Sequence, residues 1–177
     1  MLDLAYKYEE DIRNKMLDTW YDEKYMFYYS SAHHSVWQNP DPRDGDWDNR
    51  RFVSLDSKGE VIGVIDYHVD RECNMATWFG AINFTDNKVV FGKDLAQVID
   101  DIFCKFNMRK LEFCVIIGNP IEQTYDRMVE QYGGQITGIR HKCVRLLDGN
   151  YYDDKSYEIF REDYIAAKER RKHGRSK

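Results

Sequence analysis

The sequence predicts a mixed α/β (α+β) domain: a central, mostly antiparallel sheet with helices on both faces. Three observations predict it. Three segments rich in β-branched and aromatic residues follow one another through short turns between Arg51 and Phe84. The apolar period then changes: Leu95, Val98, Ile99, Ile102, Phe103 and Phe106 fall at i, i+3, i+4, i+7, i+8 and i+11, a one-faced helix. The nearly all-apolar run Leu111 to Ile117 then reads as a strand covered on both faces. A sheet with helices packed on it is the layered arrangement that buries all three.

In chain order, Glu9 to Tyr29 is predicted helical from Ile12, Met16, Trp20, Tyr25 and Tyr28–Tyr29 at near-helical spacing. Gln38 to Asn49, with two prolines, Gly45 and several aspartates, reads as a loop. The first strand, Arg51 to Asp56, ends at the turn Ser57-Lys58-Gly59. Val61 to Val69 and Ala76 to Phe84 continue it as an antiparallel meander. Asn87 to Asp94 (NKVVFGKD) reads as a loop leading into the long helix. After the buried strand, Asn119-Pro120-Ile121-Glu122 opens a second helix: Asn caps, Pro suits the first position and Glu can bond back. Gly133-Gly134 stops it. Gln135 to Leu147 and Tyr151 to Phe160 form a closing hairpin around Asp148-Gly149. Residues 1–165 are expected to make a single domain, and the basic stretch from Ala166 a frayed tail.

A chain of 177 residues with 42% hydrophobic and 32% charged residues can bury a substantial core and is not a disordered composition. The net charge of −5 argues against a general nucleic-acid binder, with salt-dependent RNA contact through Lys168 to Lys177 as a minor reading. The charged start is unlike a signal peptide, and no run approaches the roughly 18 apolar residues of a membrane span. The cysteines Cys73, Cys104, Cys114 and Cys143 lack metal-knuckle spacing and are expected to be small, buried, reduced side chains. A cytoplasmic location follows from that reading. His33-His34 has no carboxylate or thiol at ligand spacing, so no metal is expected.

Chemistry can sit in four places. The loop around Gly92, with Lys88 and Lys93, precedes a helix N-terminus, which presents unpaired N–H groups and a positive dipole end to phosphate. The Walker pattern GxxxxGK(S/T) is absent, which disfavours a P-loop hydrolase. Asn119 ends the buried strand and either caps its helix or holds a ligand amide. Tyr125, with a phenol pKa near 10, can protonate a leaving thiolate, or can pack in the core with Ile121, Met128, Val129 and Tyr132. Asp66, His68 and Asp70 share one strand face, which suits either a general base or a solvated edge. No GxSxG nucleophile signature occurs.

The order of elements, with EVIGVIDYHV, ATWFGAINF, VVFGKDLAQVIDDIFCKFNMRKLEFCVI and NPIEQTYDRMVEQYGGQITGIRHKCVRLLDGNYYDDKSYEIFREDY, resembles the GNAT superfamily of acyl-CoA-dependent N-acyltransferases. EEDIRNKMLDTWYDEKY and the "DG-x-YYD" turn resemble more narrowly the branch of the ribosomal-protein N-terminal acetyltransferases. The resemblance covers most of residues 8 to 164. It implies a sheet splayed into a V between Ala76–Phe84 and Leu111–Ile117, with acetyl-CoA in the cleft. The pantetheine arm would pair along Ile82, Asn83 and Phe84, and the pyrophosphate would rest on the N–H groups of Val90, Phe91, Gly92 and Lys93. Asn119 would touch the pantetheine and Tyr125 would be the general acid. The family's phosphate motif, Q/R-x-x-G-x-G/A, stands here as VVFGKD, with one glycine.

The implied function is transfer of an acetyl group from acetyl-CoA to a primary amine, of a small molecule or of a peptide or protein N-terminus, by direct attack in a ternary complex. The amine's proton would go to Asp66, His68 or a bound water. The acidic loop Asp41 to Asp48 would suit a cationic acceptor. The alternative is a non-catalytic acyl-CoA-binding or protein-interaction module of the same fold. A homodimer through paired hairpins is allowed.

Overall fold

The computed structural model describes residues 1–19, 22–28, 48–86 and 88–174. The expectations for Gln38 to Asn49 fall almost wholly outside them, as do those for His33-His34. Seven strands form one sheet: β1 (Leu2–Leu4), β2 (Asn49–Leu55), β3 (Val61–Asp70), β4 (Met75–Asn83), β5 (Lys110–Ile116), β6 (Gln135–Arg145) and β7 (Tyr151–Phe160), in the order β1-β2-β3-β4-β5-β7-β6. Every neighbouring pair is antiparallel except β4–β5. The meander and the closing hairpin are as expected; β1 is an addition that three residues were too few to announce.

Among the described residues, four helices flank the sheet: α1 (Glu9–Thr19), α2 (Lys88–Asp100), α3 (Glu122–Gln131) and α4 (Arg161–Gly174). On one face, Ile12 and Met16 of α1 pack with Val53, Leu55, Val61, Val64 and Ile82. On the other, residues of α2, α3 and α4 join Ile65, Tyr67, Phe79, Phe113 and Tyr157 in the larger core. Helices thus cover both faces, because successive strand residues alternate sides and both sides carry apolar rows.

Three boundaries differ from expectation. The first helix ends at Thr19, and a short 3-10 turn, Glu23–Tyr25, follows where a continuous helix was expected. The second helix begins at Lys88, not after Asp94, so the expected loop is helical; Phe91 is only 8% exposed and its ring fills the notch over Gly63. The helix then passes into a π-helical turn, Asp101–Lys105. The tail does not fray at Ala166. Helix α4 runs on to Gly174, held by Tyr164, which stacks on Phe103 at 4.6 Å between ring centroids, and by the Lys168–Asp100 ion pair.

All four cysteines are free thiols but exposed rather than buried. Cys114, for example, lies on the side of β5 opposite the buried Leu111, Phe113 and Val115. Among the described residues, no helix is long and apolar enough to cross a membrane, and no three His, Cys, Asp or Glu side chains gather at metal-binding geometry.

Two predictions arise here. A Cβ on Gly92 would meet nothing within 4 Å, and its φ is not left-handed. Gly92→Ala should therefore raise stability by roughly 0.5–1 kcal/mol through helix propensity, seen in urea denaturation. Lys155 on β7 is buried and tied to Glu122 and, at 3.1 Å, to Asp126, both on α3; Asp126 also accepts from Tyr157 at 2.7 Å. Glu122 is held below its usual pKa by the Gly118 N–H and by Lys155. For Asp126 the hydrogen bonds of Tyr157 and Lys155 outweigh burial, with the same sign. Lowered folded pKa values add stability above about pH 4 that is lost as pH falls through them. Lys155→Met should cost about 3 kcal/mol at pH 7, at the low end for a broken buried pair because Asp126 is 37% exposed. The gap from wild type should narrow below pH 4, in urea titrations at pH 7 and pH 3.

Candidate active site

The parallel strands β4 and β5 pair only at Met75↔Lys110 and Ala76↔Leu111. Beyond Ala76 they part, which is the V the resemblance implies. On the β4 side, Phe84 N–H bonds Ile62 O at 2.8 Å, so by antiparallel alternation Phe84 and Ile82 spend their backbone groups on β3, while Asn83 and Ala81 turn theirs to the gap. On the β5 side, Ile117 N–H bonds Asp153 O at 2.9 Å, which by the same alternation turns the backbone of Ile116 and Cys114 toward the gap. Asn119 N–H takes the Ile116 carbonyl. Two sheet edges thus face each other without pairing, a slot for one extended chain carrying amides. Of the three pantetheine candidates, Asn83 is the one whose backbone faces this slot.

At the closed end, Phe79 of β4 meets Phe113 of β5 edge-on at 6.0 Å on the large-core face. Near it β4 carries a bulge: the register to β3 shifts between Asp66↔Gly80 and His68↔Thr77, and Trp78 there has φ 55° and is 86% exposed. The open end collects both helix N-termini. Helix α2 starts at Lys88, five residues after β4. Gly118, with φ 97°, turns the chain from β5 toward α3.

Ile121 is the cap residue of α3 and makes no side-chain cap bond; Asn119 stands two residues ahead of it. Asn119 Oδ1 accepts from Ile121 N–H at 3.1 Å, and Glu122 reaches back to Gly118 N–H at 2.9 Å. The Asn119 amide nitrogen has no partner among the described residues. Gly92 and Lys93 lie inside α2, where helical geometry commits their N–H groups to the preceding turn. A phosphate at this end would therefore meet the start of the helix at Lys88 rather than a loop at Gly92. Phe91 is core, and exposed Lys93 keeps its charge at the surface.

Tyr125 lies on α3 with its ring edge-on to Phe113 at 5.2 Å, 7% exposed. The core packing expected as its alternative is present, and its hydroxyl has no partner among the described residues. Burial pushes its pKa up to about 12, with the nearby Cys114 thiol adding to the rise, so the phenol stays protonated through the physiological range.

The sequence reasoning missed the segment 22–28, which bridges the mouth. Tyr25 OH donates to Phe84 O at 3.2 Å beyond β4, Lys24 pairs with Asp86 at 3.1 Å, and Phe27 meets Tyr152 of β7 edge-on at 6.1 Å. Its near-helical spacing concealed this role. Asp66, His68 and Asp70 do share a face: Asp66 lies opposite Gly80 and His68 opposite Thr77, both past the last β4–β5 pair at Ala76, while Asp70 lies opposite Met75 within the paired part. His68 bonds Asn49 Oδ1 at 3.2 Å and Asp70 takes the Cys73 N–H. A separate cavity of about 400 Å³ lies near the start of β5, lined by Asn74, Asn107, Arg109, Phe160, Arg161 and Glu162. Its arginines are committed to Cys73 O, Phe103 O and Asn107, so it reads as structural.

No protein-family model and no curated protein matches the sequence. Solved structures do. Spermidine N-acetyltransferase SpeG from Vibrio cholerae in complex with CoA and spermine superposes with TM-score 0.68 at 18% identity, over 93% of this chain and 97% of that one. A chimera of that enzyme and hSSAT gives 0.70 at 19%, over 93% and 97%. A single-residue variant of the V. cholerae enzyme gives 0.58 at 22%, over 68% and 70%. The splayed β4–β5 pair, the flanking helices and these superpositions together show that the chain shares the fold of these spermidine N-acetyltransferase structures.

Proposed function

We propose that the chain is an N-acetyltransferase that moves an acetyl group from acetyl-CoA to a primary amine by direct attack in a ternary complex. One observation carries the reading: the two unpaired edges of β4 and β5 face each other between two helix N-termini. That slot fits an extended arm with two amides, and the helix ends suit its phosphates. Acetyl-CoA supplies the activated thioester. Asn83 and Cys114 offer backbone groups to the arm, and the Asn119 amide nitrogen can donate to it. Tyr125 returns a proton to the departing thiolate as the C–S bond breaks and the N–C bond forms.

The CoA and spermine bound by a structural neighbour support a cationic amine acceptor. The resemblance to the ribosomal-protein branch supports a peptide N-terminus instead. Calorimetry with acetyl-CoA, followed by CoA release with spermidine, n-butylamine and a free-N-terminus peptide, decides both points. No binding at millimolar acetyl-CoA overturns the reading. Binding without transfer to any amine favours the non-catalytic module. A homodimer would use the outer edge of β6, where Ile136 and Ile139 are about half exposed, and light scattering would reveal it.

A further inference from the structure

Asp66 projects from the α1 face of β3. Val64, two residues earlier, packs in the α1 cluster, while Ile65 and Tyr67 belong to the opposite core. Its neighbours across the sheet are Arg51 of β2 and Gly80 of β4. One carboxylate oxygen, Oδ2, accepts from Arg51 Nε at 3.2 Å. The other, Oδ1, leans over Gly80, so close that a Cβ there would come within 2.7 Å of it. No hydrogen-bond donor reaches Oδ1 among the described residues, and the side chain keeps 28% of its surface accessible.

Gly80 belongs to the part of β4 that has left β5, so Oδ1 overhangs a wall of the cleft. The helices whose N-termini suit the cofactor's phosphates pack into the opposite core, and an acceptor therefore has the α1 face as its approach. Arg51 fixes the carboxylate without neutralising the oxygen that faces the cleft. A glycine inside a strand is otherwise unfavourable, and here its missing side chain is the space the carboxylate occupies.

We propose that Asp66 Oδ1 receives the acceptor's ammonium and takes its first proton. The inference rests on the acetyl-transfer reading and names the group that prepares its nucleophile. The ammonium N–H bond breaks and an O–H bond forms on Oδ1, leaving a neutral amine. Its nitrogen bonds the acetyl carbon, the C–S bond breaks, and the second amine proton reaches the thiolate by way of Tyr125. Asp66 then releases its proton to solvent, so amide, thiol and one proton leave. Burial raises the Asp66 pKa against the pull of Arg51, which makes the carboxylate a better base than an exposed aspartate.

The test has a binding arm and a kinetic arm. Wild type saturated with CoA, which cannot react, is titrated with spermidine and with n-butylamine while the side-chain carboxyl carbons are followed by NMR; Asp66→Asn assigns the signal. The amines should move the Asp66 signal, and Asp66→Asn should weaken amine binding at least tenfold with CoA affinity within twofold. Gly80→Ala, which displaces Oδ1 but keeps the charge, should weaken amine binding in the same way. In turnover with acetyl-CoA, Asp66→Asn should lower kcat/KM for the amine about 100-fold. An unmoved signal with unchanged amine affinity overturns the assignment whether or not the wild type transfers acetyl. So does a variant that turns over like wild type. A shifted signal in a wild type that transfers nothing supports Asp66 as the ammonium site and refutes the enzyme reading.

Discussion

Tyr125→Phe should lower kcat about 100-fold, leave the KM for acetyl-CoA within about twofold, and leave the melting temperature unchanged. These outcomes separate because the ring and the hydroxyl do different things. The ring packs on Phe113 in the core, and Phe preserves that contact. The hydroxyl has no partner among the described residues, so its removal leaves no donor or acceptor stranded there, and stability does not suffer. On the proposed acetyl-transfer reading, what is lost is a proton available to a leaving thiolate. With the phenol pKa raised to about 12, the acid form persists well above neutrality. The kcat of wild type should therefore show no basic limb from Tyr125 below pH 10, and the variant's deficit should be constant from pH 6 to pH 9. A variant as active as wild type would assign the proton to water, and a fall in melting temperature of several degrees would make Tyr125 a packing residue only.

The sequence exposed this molecule where local periodicity and tertiary need agree. Val61 to Val69, rich in β-branched residues, is a strand of a sheet that really has two covered faces, and Asn119 precedes a helix that really starts three residues later. It misled where a distant contact decides. Gly92 reads as a breaker, yet the helix runs through it because Phe91 must reach the notch at Gly63, 28 positions earlier in the chain. The basic stretch after Ala166 reads as a tail, yet Tyr164 and Lys168 fasten it to Phe103 and Asp100. The exposure of Cys114 follows from which side of β5 meets the helices, a fact of topology and not of composition. The site divides in the same way. Asn119, Tyr125 and Asp66 were visible as residue types in suggestive places. Where β4 leaves β5, a register of two pairs, sets Asp70 apart, and between the other two His68 is engaged by Asn49 while Asp66 leans over Gly80. Gly63 and Gly80 carried a signal that could have been used: a glycine inside an otherwise β-branched strand marks a close approach.

Gly63→Ala should destabilise the fold by about 3 kcal/mol and weaken CoA binding about tenfold. An ideal Cβ on Gly63 falls 2.4 and 2.7 Å from two carbons of the Phe91 ring and 2.5 Å from the Ile82 carbonyl oxygen. The ring can move only by lifting the first turn of α2. The carbonyl can move only by pushing β4 away from β3 next to Asn83, whose backbone lines the slot. One methyl group therefore strains both parts of the proposed cofactor site, the helix start and the strand edge. A double-mutant cycle divides the two. Phe91→Ala alone should cost about 3 kcal/mol by leaving a cavity. With the ring gone, the methyl has one clash left, so the double variant should be more stable than the sum of the singles by about 1 kcal/mol, the mark of two groups in contact. CoA affinity should recover only in part, since the displaced Ile82 carbonyl remains. Strictly additive stabilities would mean that Phe91 does not sit on Gly63. Full recovery of CoA binding would place the cofactor's contact on α2 alone and remove the β4 edge from the site.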